Sequence, residues 1–259
     1  FILALGLPAE VAIGVGLITE VFGFASGVFS YSRKKLIDYK LGLMMLLVTV
    51  PLAVGGTFLA AVIPSFVLKL VLGGGLVAIA LSFLKSPDKH EIKALDAEIE
   101  RLYPKETAET TIVTAEGEEI SYTVCNKLQG GIFGGIGALL IGMISTGQGE
   151  LNGYFFLKRC KVPSKVAVAT SVFIVAVTAL SASVGHAVRF AKSGEETLML
   201  VLSIVVFTIP GVIIGGNIGS LIASKIPQKL LEKILAFLFL GVAALMIGET
   251  VYRLSSGSG

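Results

Sequence analysis

Four long stretches of this 259-residue chain contain no Asp, Glu, Lys or Arg and are as long as a bilayer-spanning helix. They are residues 41–63, 128–149, 166–188 and 197–224. Such stretches are typical of transmembrane helices, because a helix satisfies its backbone hydrogen bonds internally. The whole chain is 54% hydrophobic, with a mean hydropathy of +0.87. We therefore expect an all-α polytopic membrane protein that crosses a plasma or inner cell membrane several times.

The apolar pattern predicts seven candidate spans. They are residues 9–31, 41–63, 65–84, 127–160, 164–190, 196–224 and 228–253. The span over 127–160 is predicted to be broken, because glycine and small polar residues interrupt it near its middle. The 31 glycines fit close packing between transmembrane helices, and the net charge of +3 is too small to suggest a nucleic-acid partner.

Prolines and glycines mark an internal repeat. Three landmarks recur in the same order: a Pro-X-X-Val-Ala start, a span with an internal proline before a Gly-Gly pair, and a proline that opens the next span. The paired prolines are Pro8 with Pro163, Pro51 with Pro210, and Pro64 with Pro227. The second copy begins with the broken element 127–160, so the matching first element is expected to lie upstream of residue 1.

The distribution of Lys and Arg favours a re-entrant hairpin for the broken element. If 127–160 folds back, eleven basic residues of the short loops fall on one side of the membrane and three on the other. Each repeat then has a hairpin and three spans, so the two repeats are predicted to be inverted, with the eleven-residue side cytoplasmic. The alternative is eight plain spans in two parallel sets of four. The predicted divisions are a first transmembrane repeat at 1–85, a linker at 86–127, a second transmembrane repeat at 128–253, and a tail at 254–259.

Residues 86–127 form the one clearly polar segment and hold 10 of the 18 acidic residues. Apolar residues at helical spacing predict a helix over 88–103, which Pro104 ends. Alternating β-branched and polar residues over 110–124 predict a β-hairpin. The segment is interpreted as an ordered interdomain linker, with a regulatory or partner-binding module as the alternative.

The break in the 127–160 element predicts an anion site. A helix can continue only at a free-energy cost through the five residues Ser145, Thr146, Gly147, Gln148 and Gly149. A helix that restarts after them points unpaired backbone N–H groups at mid-membrane. The glycines allow close approach to those N–H groups, and the polar side chains add donors. The alternative is a glycine-rich packing hairpin that binds nothing.

Three further polar residues complete the predicted substrate-binding set. Asn152 follows the break by one turn, and Thr170 and Ser171 lie early in the next span. Hydroxyls in membrane helices often bond only to the carbonyl four residues earlier, which is the alternative for Thr170 and Ser171.

Two carboxylates are predicted to act in coupling or gating. Glu20 lies in the middle of the first span and Glu150 lies just after the break. A carboxylate within a membrane is costly and is by default a candidate functional group. Glu20 could bind protons, pair with a cation, or be a protonated structural residue, and Glu150 could simply cap its helix.

Several functional classes lack support in the sequence. Cys125 and Cys160 are expected to be free thiols, against a role in sulfur chemistry or metal binding. No Walker A sequence, Ser/His/Asp order, clustered metal ligands or potassium-channel filter is present. We therefore expect no enzymatic activity, cofactor or metal.

The order of these motifs resembles the TauE/SafE sulfite exporter family, also called the 4-toluene sulfonate uptake permeases. That family has a Gly-X-Gly-Gly-Gly run at a re-entrant element and an Ala-X-Gly-Thr-Ser run after it. Here the first run contains Gln148 and Glu150, and the second reads Ala-Val-Ala-Thr-Ser over 167–171. In the first repeat, the corresponding Thr-Ser pair is absent. The resemblance implies transport of sulfite or a small organosulfonate, usually out of the cytoplasm.

Together these features predict a secondary transporter that exports a small sulfur-containing oxyanion by alternating access. Its expected partners are that anion, the lipid bilayer and protons. The alternatives are an anion channel-like pore, a proton-coupled importer of another small organic anion, and a membrane enzyme or assembly factor that uses the two cysteines.

Overall fold

The computed structural model describes residues 2–85, 89–102, 108–123, 126–223 and 225–255. The helices and strands follow one another along the chain as α1 Ile2–Leu5, α2 Ala9–Arg33, α3 Tyr39–Val62, α4 Ser65–Leu84, α5 Lys89–Leu102, β1 Thr110–Val113, β2 Glu119–Tyr122, α6 Lys127–Ile144, α7 Gln148–Gly153, α8 Ser164–Lys192, α9 Glu195–Ala223 and α10 Gln228–Ser255. A π-helical segment, Tyr154–Arg159, continues α7. Within the described residues, the fold is all-α apart from one two-stranded sheet.

Seven of the described helices are long and apolar enough to cross a membrane: α2, α3, α4, α6, α8, α9 and α10. This confirms a polytopic membrane protein. The outer faces of these helices expose large apolar side chains, as Phe207 on α9 shows with 80% of its surface exposed. In water such a surface would be unstable, whereas lipid tails accept it.

Prolines start the helices as the sequence predicts. Pro8 and Pro163 occupy the position before α2 and α8 with nearly identical backbone angles, φ −52° and ψ 140° or 137°. Two residues earlier, Gly6 and Lys161 both have left-handed φ angles, 62° and 53°. The two helices therefore begin with the same local turn.

Two pairs of helices that correspond in the predicted repeat, α2 with α8 and α4 with α10, contact each other and run antiparallel. On α2, Gly14 faces Phe190 near the end of α8, and Gly27 faces Val172 near its start. Likewise α4 and α10 pack antiparallel, because Lys69 near the start of α4 pairs with Glu249 near the end of α10, whereas Phe83 at the end of α4 stacks on Phe239. Inverted repeats require such opposite directions, and the repeat itself stays a prediction.

Helices α6 and α7 fold back on each other as an antiparallel hairpin. A Cβ added at Gly137 would lie 2.8 Å from Cα of Gln148, and one at Gly130 would lie 2.7 Å from the ring of Phe155. Glycine at these positions lets the two arms lie side by side. The hairpin packs on α3, where Gly142 lies so close to the backbone of Ala53 that an added Cβ would overlap its carbonyl oxygen.

The polar segment contains the predicted helix, α5, and the predicted β-hairpin, in which Thr110 pairs with Tyr122 and Val113 pairs with Glu119. The β-hairpin packs against the start of α3. The Tyr122 hydroxyl donates to Asp38 Oδ2 at 2.7 Å, and Asp38 caps α3 by accepting from the Leu41 N–H at 2.9 Å. Burial away from water and this bond to Asp38 raise the pKa of the Tyr122 hydroxyl, so it remains a donor.

The same segment also holds the start of α8. Asp96 on α5 accepts hydrogen bonds from the backbone N–H and the hydroxyl of Ser164. Lys165 pairs with Glu118, with 2.6 Å between nitrogen and oxygen. The polar segment therefore lies at the end of the molecule where α3 and α8 both begin. This is the basic side in the predicted topology.

The expectation of free thiols is wrong for Cys160, which is buried and forms a disulfide bond in the structure. Cys125, the other cysteine of the sequence, lies outside the described residues. The number of cysteines in a sequence does not show whether a given cysteine forms a disulfide bond.

Candidate functional site

The break between α6 and α7 is a tight turn built from left-handed residues. Ser145 ends α6 with φ 60°, and Gly147 precedes α7 with φ 104°. A residue with a side chain would be strained at Gly147, where an added Cβ would also meet Leu140 at 3.2 Å. The turn reverses the chain, so Ser145, Thr146 and Gly147 form the tip of the hairpin.

A cavity of about 180 Å³ surrounds this tip. Its lining includes eight of the residues predicted from the sequence, namely Glu20, Ser145, Thr146, Gly147, Gln148, Gly149, Glu150 and Ser171. Phe24, Ile141, Val172 and Val175 complete the wall with apolar surface. The cavity has the volume of about six water molecules, which suits a small hydrated ion rather than a drug-sized ligand.

Glu20 connects the tip to α2. It is near the middle of α2, and its carboxylate accepts a hydrogen bond from the Ser145 hydroxyl at 3.0 Å. Glu20 and Ser145 also line a second cavity of about 510 Å³ between α2 and α9, together with Thr19 and Thr208. The Glu20–Ser145 bond therefore lies at the boundary between the two cavities.

The opposite side of the tip faces α4. Thr146, Gly147 and Glu150 line a third cavity of about 360 Å³ there, whose other wall includes Gly74 and Gly75 of α4. The tip is thus bordered by open space on both sides, and Glu150 lies at the cavities on either side.

Gln148 is fully buried and points from the tip toward the neighbouring spans. Its Nε2 donates to the Thr178 hydroxyl at 3.2 Å, and the hydroxyls of Thr178 and Thr49 are 3.0 Å apart. Thr49 and Thr178 are not among the residues predicted from the sequence. Single threonines in apolar spans carry little signal, and only the packing of α3 against α8 makes this pair.

Two of the predicted residues lie away from the tip cavity. Thr170 faces the start of α3, where its hydroxyl accepts a hydrogen bond from the Asp38 backbone N–H at 2.9 Å. Asn152 is fully buried one turn behind Gln148, and neither atom of its amide has a hydrogen-bond partner among the described residues. Thr170 therefore fastens α8 to α3, whereas Asn152 lies behind the cavity.

The charges around the cavity have one sign. Its lining includes the carboxylates of Glu20 and Glu150 and no Lys, Arg or His. The basic Arg189 is engaged elsewhere, because its guanidinium pairs with Glu10 and donates to the Thr57 carbonyl oxygen at 2.7 Å. Positive potential at the tip therefore has to come from backbone N–H groups at the start of α7, from protons or from a bound cation.

The described residues contain no group of three or more His, Cys, Asp and Glu side chains that could hold a metal ion. His186 is fully buried, with its Nε2 3.0 Å from the Gly142 carbonyl oxygen. This histidine fastens α8 to α6 and lies outside the tip cavity.

Known proteins share this sequence pattern. The model of the sulfite exporter TauE/SafE family matches residues 1–246. Over 246 residues the chain is 26% identical to the probable membrane transporter protein YunE of Bacillus subtilis (strain 168), covering 94% of this chain and 82% of that protein. Over 87 residues it is 34% identical to the probable membrane transporter protein ORF9 of a Sinorhizobium species, covering 34% of this chain and 33% of that protein. No solved structure matches significantly. Because the family match covers nearly the whole chain, this protein belongs to the sulfite exporter TauE/SafE family of membrane transporters.

Proposed function

We propose that this protein exports a small sulfur-containing oxyanion, such as sulfite, and binds it in the cavity at the hairpin tip. The observation that carries this proposal is the cavity of about 180 Å³ that gathers Thr146, Gln148 and Ser171 around a chain reversal. Its size supports a small oxyanion over a bulky aromatic sulfonate.

The tip offers hydrogen-bond donors, and oxyanions are hydrogen-bond acceptors. Thr146 and Ser171, which carry hydroxyl groups, line the cavity, and the backbone can be approached closely at Gly149, where an added Cβ would meet nothing within 4 Å. The first N–H groups of a helix have no partners within it and attract negative charge. An oxyanion at the tip would replace water as their acceptor.

The two carboxylates make protonation part of the proposal. At an effective dielectric constant of 20, two like charges 5 Å apart repel by about 3 kcal/mol. An anion beside Glu20 and Glu150 would meet this repulsion unless a carboxylate were protonated or a cation were bound nearby. Glu20 is the proposed coupling residue, because it touches both the tip and the crevice between α2 and α9.

The membrane potential supports export. An inside-negative potential favours outward movement of an anion by about 2.3 kcal/mol per charge per 100 mV, so export requires no ATP. Alternating access would require the hairpin and α8 to move relative to α2 and α9, so that the tip opens to one side of the membrane at a time. A proton-coupled importer is the second candidate, and the carboxylate pair at the cavity favours it.

Flux through proteoliposomes tests the proposal. Purified protein is reconstituted, and efflux of radiolabelled sulfite is measured for the native chain and for Ser171→Ala. Ser181→Ala is the matched control, because Ser181 lies on the same helix and bonds only to the Val177 carbonyl oxygen in the described structure. We expect saturable efflux that Ser171→Ala reduces at least tenfold and Ser181→Ala leaves unchanged.

Absence of sulfite flux in the native chain, with flux of another small anion, would assign a different substrate to the cavity. Equal flux in both serine variants would remove Ser171 from the site. Unsaturable electrogenic flux far above transporter turnover would instead indicate a channel-like pore.

A further inference from the structure

Two buried carboxamides, one at the tip cavity and one behind it, have polar atoms without hydrogen-bond partners among the described residues. Gln148 and Asn152 lie one turn apart on α7, and both are fully buried. Gln148 Oε1 and both amide atoms of Asn152 have no hydrogen-bond partner in the described structure. We propose that these amides, with the hydroxyls of Thr49 and Thr178, form a second site that binds a monovalent cation such as Na⁺.

Four elements of the fold converge at this site. Thr49 comes from α3, Thr178 from α8, and the two carboxamides from α7. On α6, Gly134 lets the neighbouring side chains come close together, because an added Cβ would lie 2.5 Å from the Met45 methyl group, 3.3 Å from Thr49 Cγ2 and 3.6 Å from Asn152 Oδ1. The site is therefore in the interface that joins the hairpin to the rest of the membrane domain.

The chemistry of these groups points to a cation rather than an anion. Amide and hydroxyl oxygens are hard ligands, which suit cations that bind oxygen. The Gln148 amide already directs its Nε2 at Thr178, so the group left free is its oxygen, Oε1. An unpartnered amide oxygen in a membrane interior is costly, and coordination to a cation removes that cost.

The absence of a carboxylate among these four side chains selects a single charge. A divalent ion would lose far more hydration energy on burial than neutral oxygens return, whereas a monovalent ion loses much less. Glu20 and Glu150 line the neighbouring tip cavity, so their negative potential also favours a cation behind it.

The position of the cation has a consequence for anion binding. Gln148 lies at the cavity and Asn152 lies about 6 Å further along α7, given a rise of about 1.5 Å per residue. A positive charge there would offset the Glu20 and Glu150 carboxylates when an oxyanion occupies the tip. This coupling rests on the proposed function, whereas cation binding itself does not.

Thermal unfolding tests cation binding without any oxyanion substrate. The purified protein is titrated with NaCl, KCl, LiCl or choline chloride at constant ionic strength, and the melting temperature is recorded. We expect a saturable rise with one of the alkali cations that choline does not produce. A native chain that responds equally to choline and to all three alkali cations would overturn the proposal, and water would then satisfy the amides.

Variants locate the site. Asn152→Leu replaces the amide with an apolar group of similar size, so we expect the protein to fold and its cation response to disappear. The control is Thr250→Val, which removes a buried hydroxyl that bonds to the Met246 carbonyl oxygen on α10, and we expect it to keep the response. A full response in Asn152→Leu would overturn the proposal.

Thr178→Val answers the same question if Asn152→Leu does not fold. We expect at least a tenfold loss of cation affinity, and unchanged affinity would exclude this site. Titration with sulfite, in the presence and absence of the cation, then separates the two claims. Cation binding without any response to sulfite would support the cation site and reject sulfite as the substrate.

Discussion

Helices α3 and α9 carry the same sequence landmarks but meet very different surroundings. Each contains an internal proline followed by a Gly-Gly pair. On α3, a Cβ added at Gly56 would lie 2.5 Å from the Leu139 carbonyl oxygen of the hairpin. On α9, a Cβ at Gly215 or Gly216 would meet nothing within 4 Å among the described residues.

The difference shows what the glycines of α3 do. They let the backbone of α6 lie directly against α3, and this contact fixes the position of the hairpin relative to α3. On the α9 side, no described residue makes the corresponding contact, and Gly211 and Val212 line the cavity that also reaches Glu20. The face of the hairpin toward α3 is thus held by close packing, whereas its faces toward α9 and α4 border cavities between the described residues.

The largest expected effect comes from adding a methyl group to the packed side. Gly56→Ala should destabilise the fold by about 3 kcal/mol, because its Cβ would meet backbone rather than a movable side chain. Gly216→Ala is the matched control on α9 and should stay within about 0.5 kcal/mol, or gain stability from the better helix propensity of Ala. Thermal unfolding in detergent measures both, and equal losses would show that α9 is packed in the protein as closely as α3 is.

On the side toward α9, Glu20→Gln should remove the pH dependence of transport. The neutral amide imitates the protonated carboxyl, so we expect efflux to stay high as the pH rises, while efflux by the native chain falls. Glu196→Gln, near the start of α9, is the control and should keep the native pH profile. Flux measured between pH 5 and pH 8 decides this, and a native profile in Glu20→Gln would exclude proton coupling through this residue.

A smaller effect is expected where α3 begins. Thr170→Val leaves the Asp38 backbone N–H without its acceptor, so we expect a loss of about 1–3 kcal/mol of stability. Sulfite affinity should be unchanged, since Thr170 lies outside the tip cavity. Unfolding and binding are measured on the same preparation. Weaker sulfite binding at native stability would return Thr170 to the substrate site.

The smallest effect is expected between α2 and α9. The hydroxyls of Thr208 and Thr19 are 2.7 Å apart, but Thr19 also donates within its own helix to the Val15 carbonyl oxygen at 2.8 Å. Thr208→Val should therefore cost less than about 1 kcal/mol in thermal unfolding. A loss as large as that of Gly56→Ala would mean that this interface is held as tightly as the one on α3.

Much of the fold could be predicted from the sequence, because uncharged apolar stretches and proline starts are local signals. The spans, the break at Ser145 to Gly149, α5 and the β-hairpin all follow from such signals. The inverted repeat and the first hairpin expected upstream remain predictions. The disulfide at Cys160 could not be predicted, since bonding depends on distance in space.

The candidate site was only partly predictable for a related reason. Residues next to the break, such as Thr146 and Gln148, are placed at the cavity by the turn itself. Thr170 and Ser171 are neighbours in sequence, yet about 100° separates them around the helix, so one faces α3 and the other the cavity. Contacts between distant spans, such as Glu20 with Ser145 or Thr49 with Thr178, depend on how the helices pack.

The most direct test of the account is the thermal stabilisation of the purified protein by sulfite, measured beside sulfate, thiosulfate and formate. At a hundred times its dissociation constant, a ligand adds about 2.7 kcal/mol to the stability of the folded state. We expect selective stabilisation by a sulfur oxyanion in the native chain and in Ser181→Ala, and its loss in Ser171→Ala. Stabilisation of the same size in Ser171→Ala, or by formate alone, would contradict a sulfur-oxyanion site at the hairpin tip.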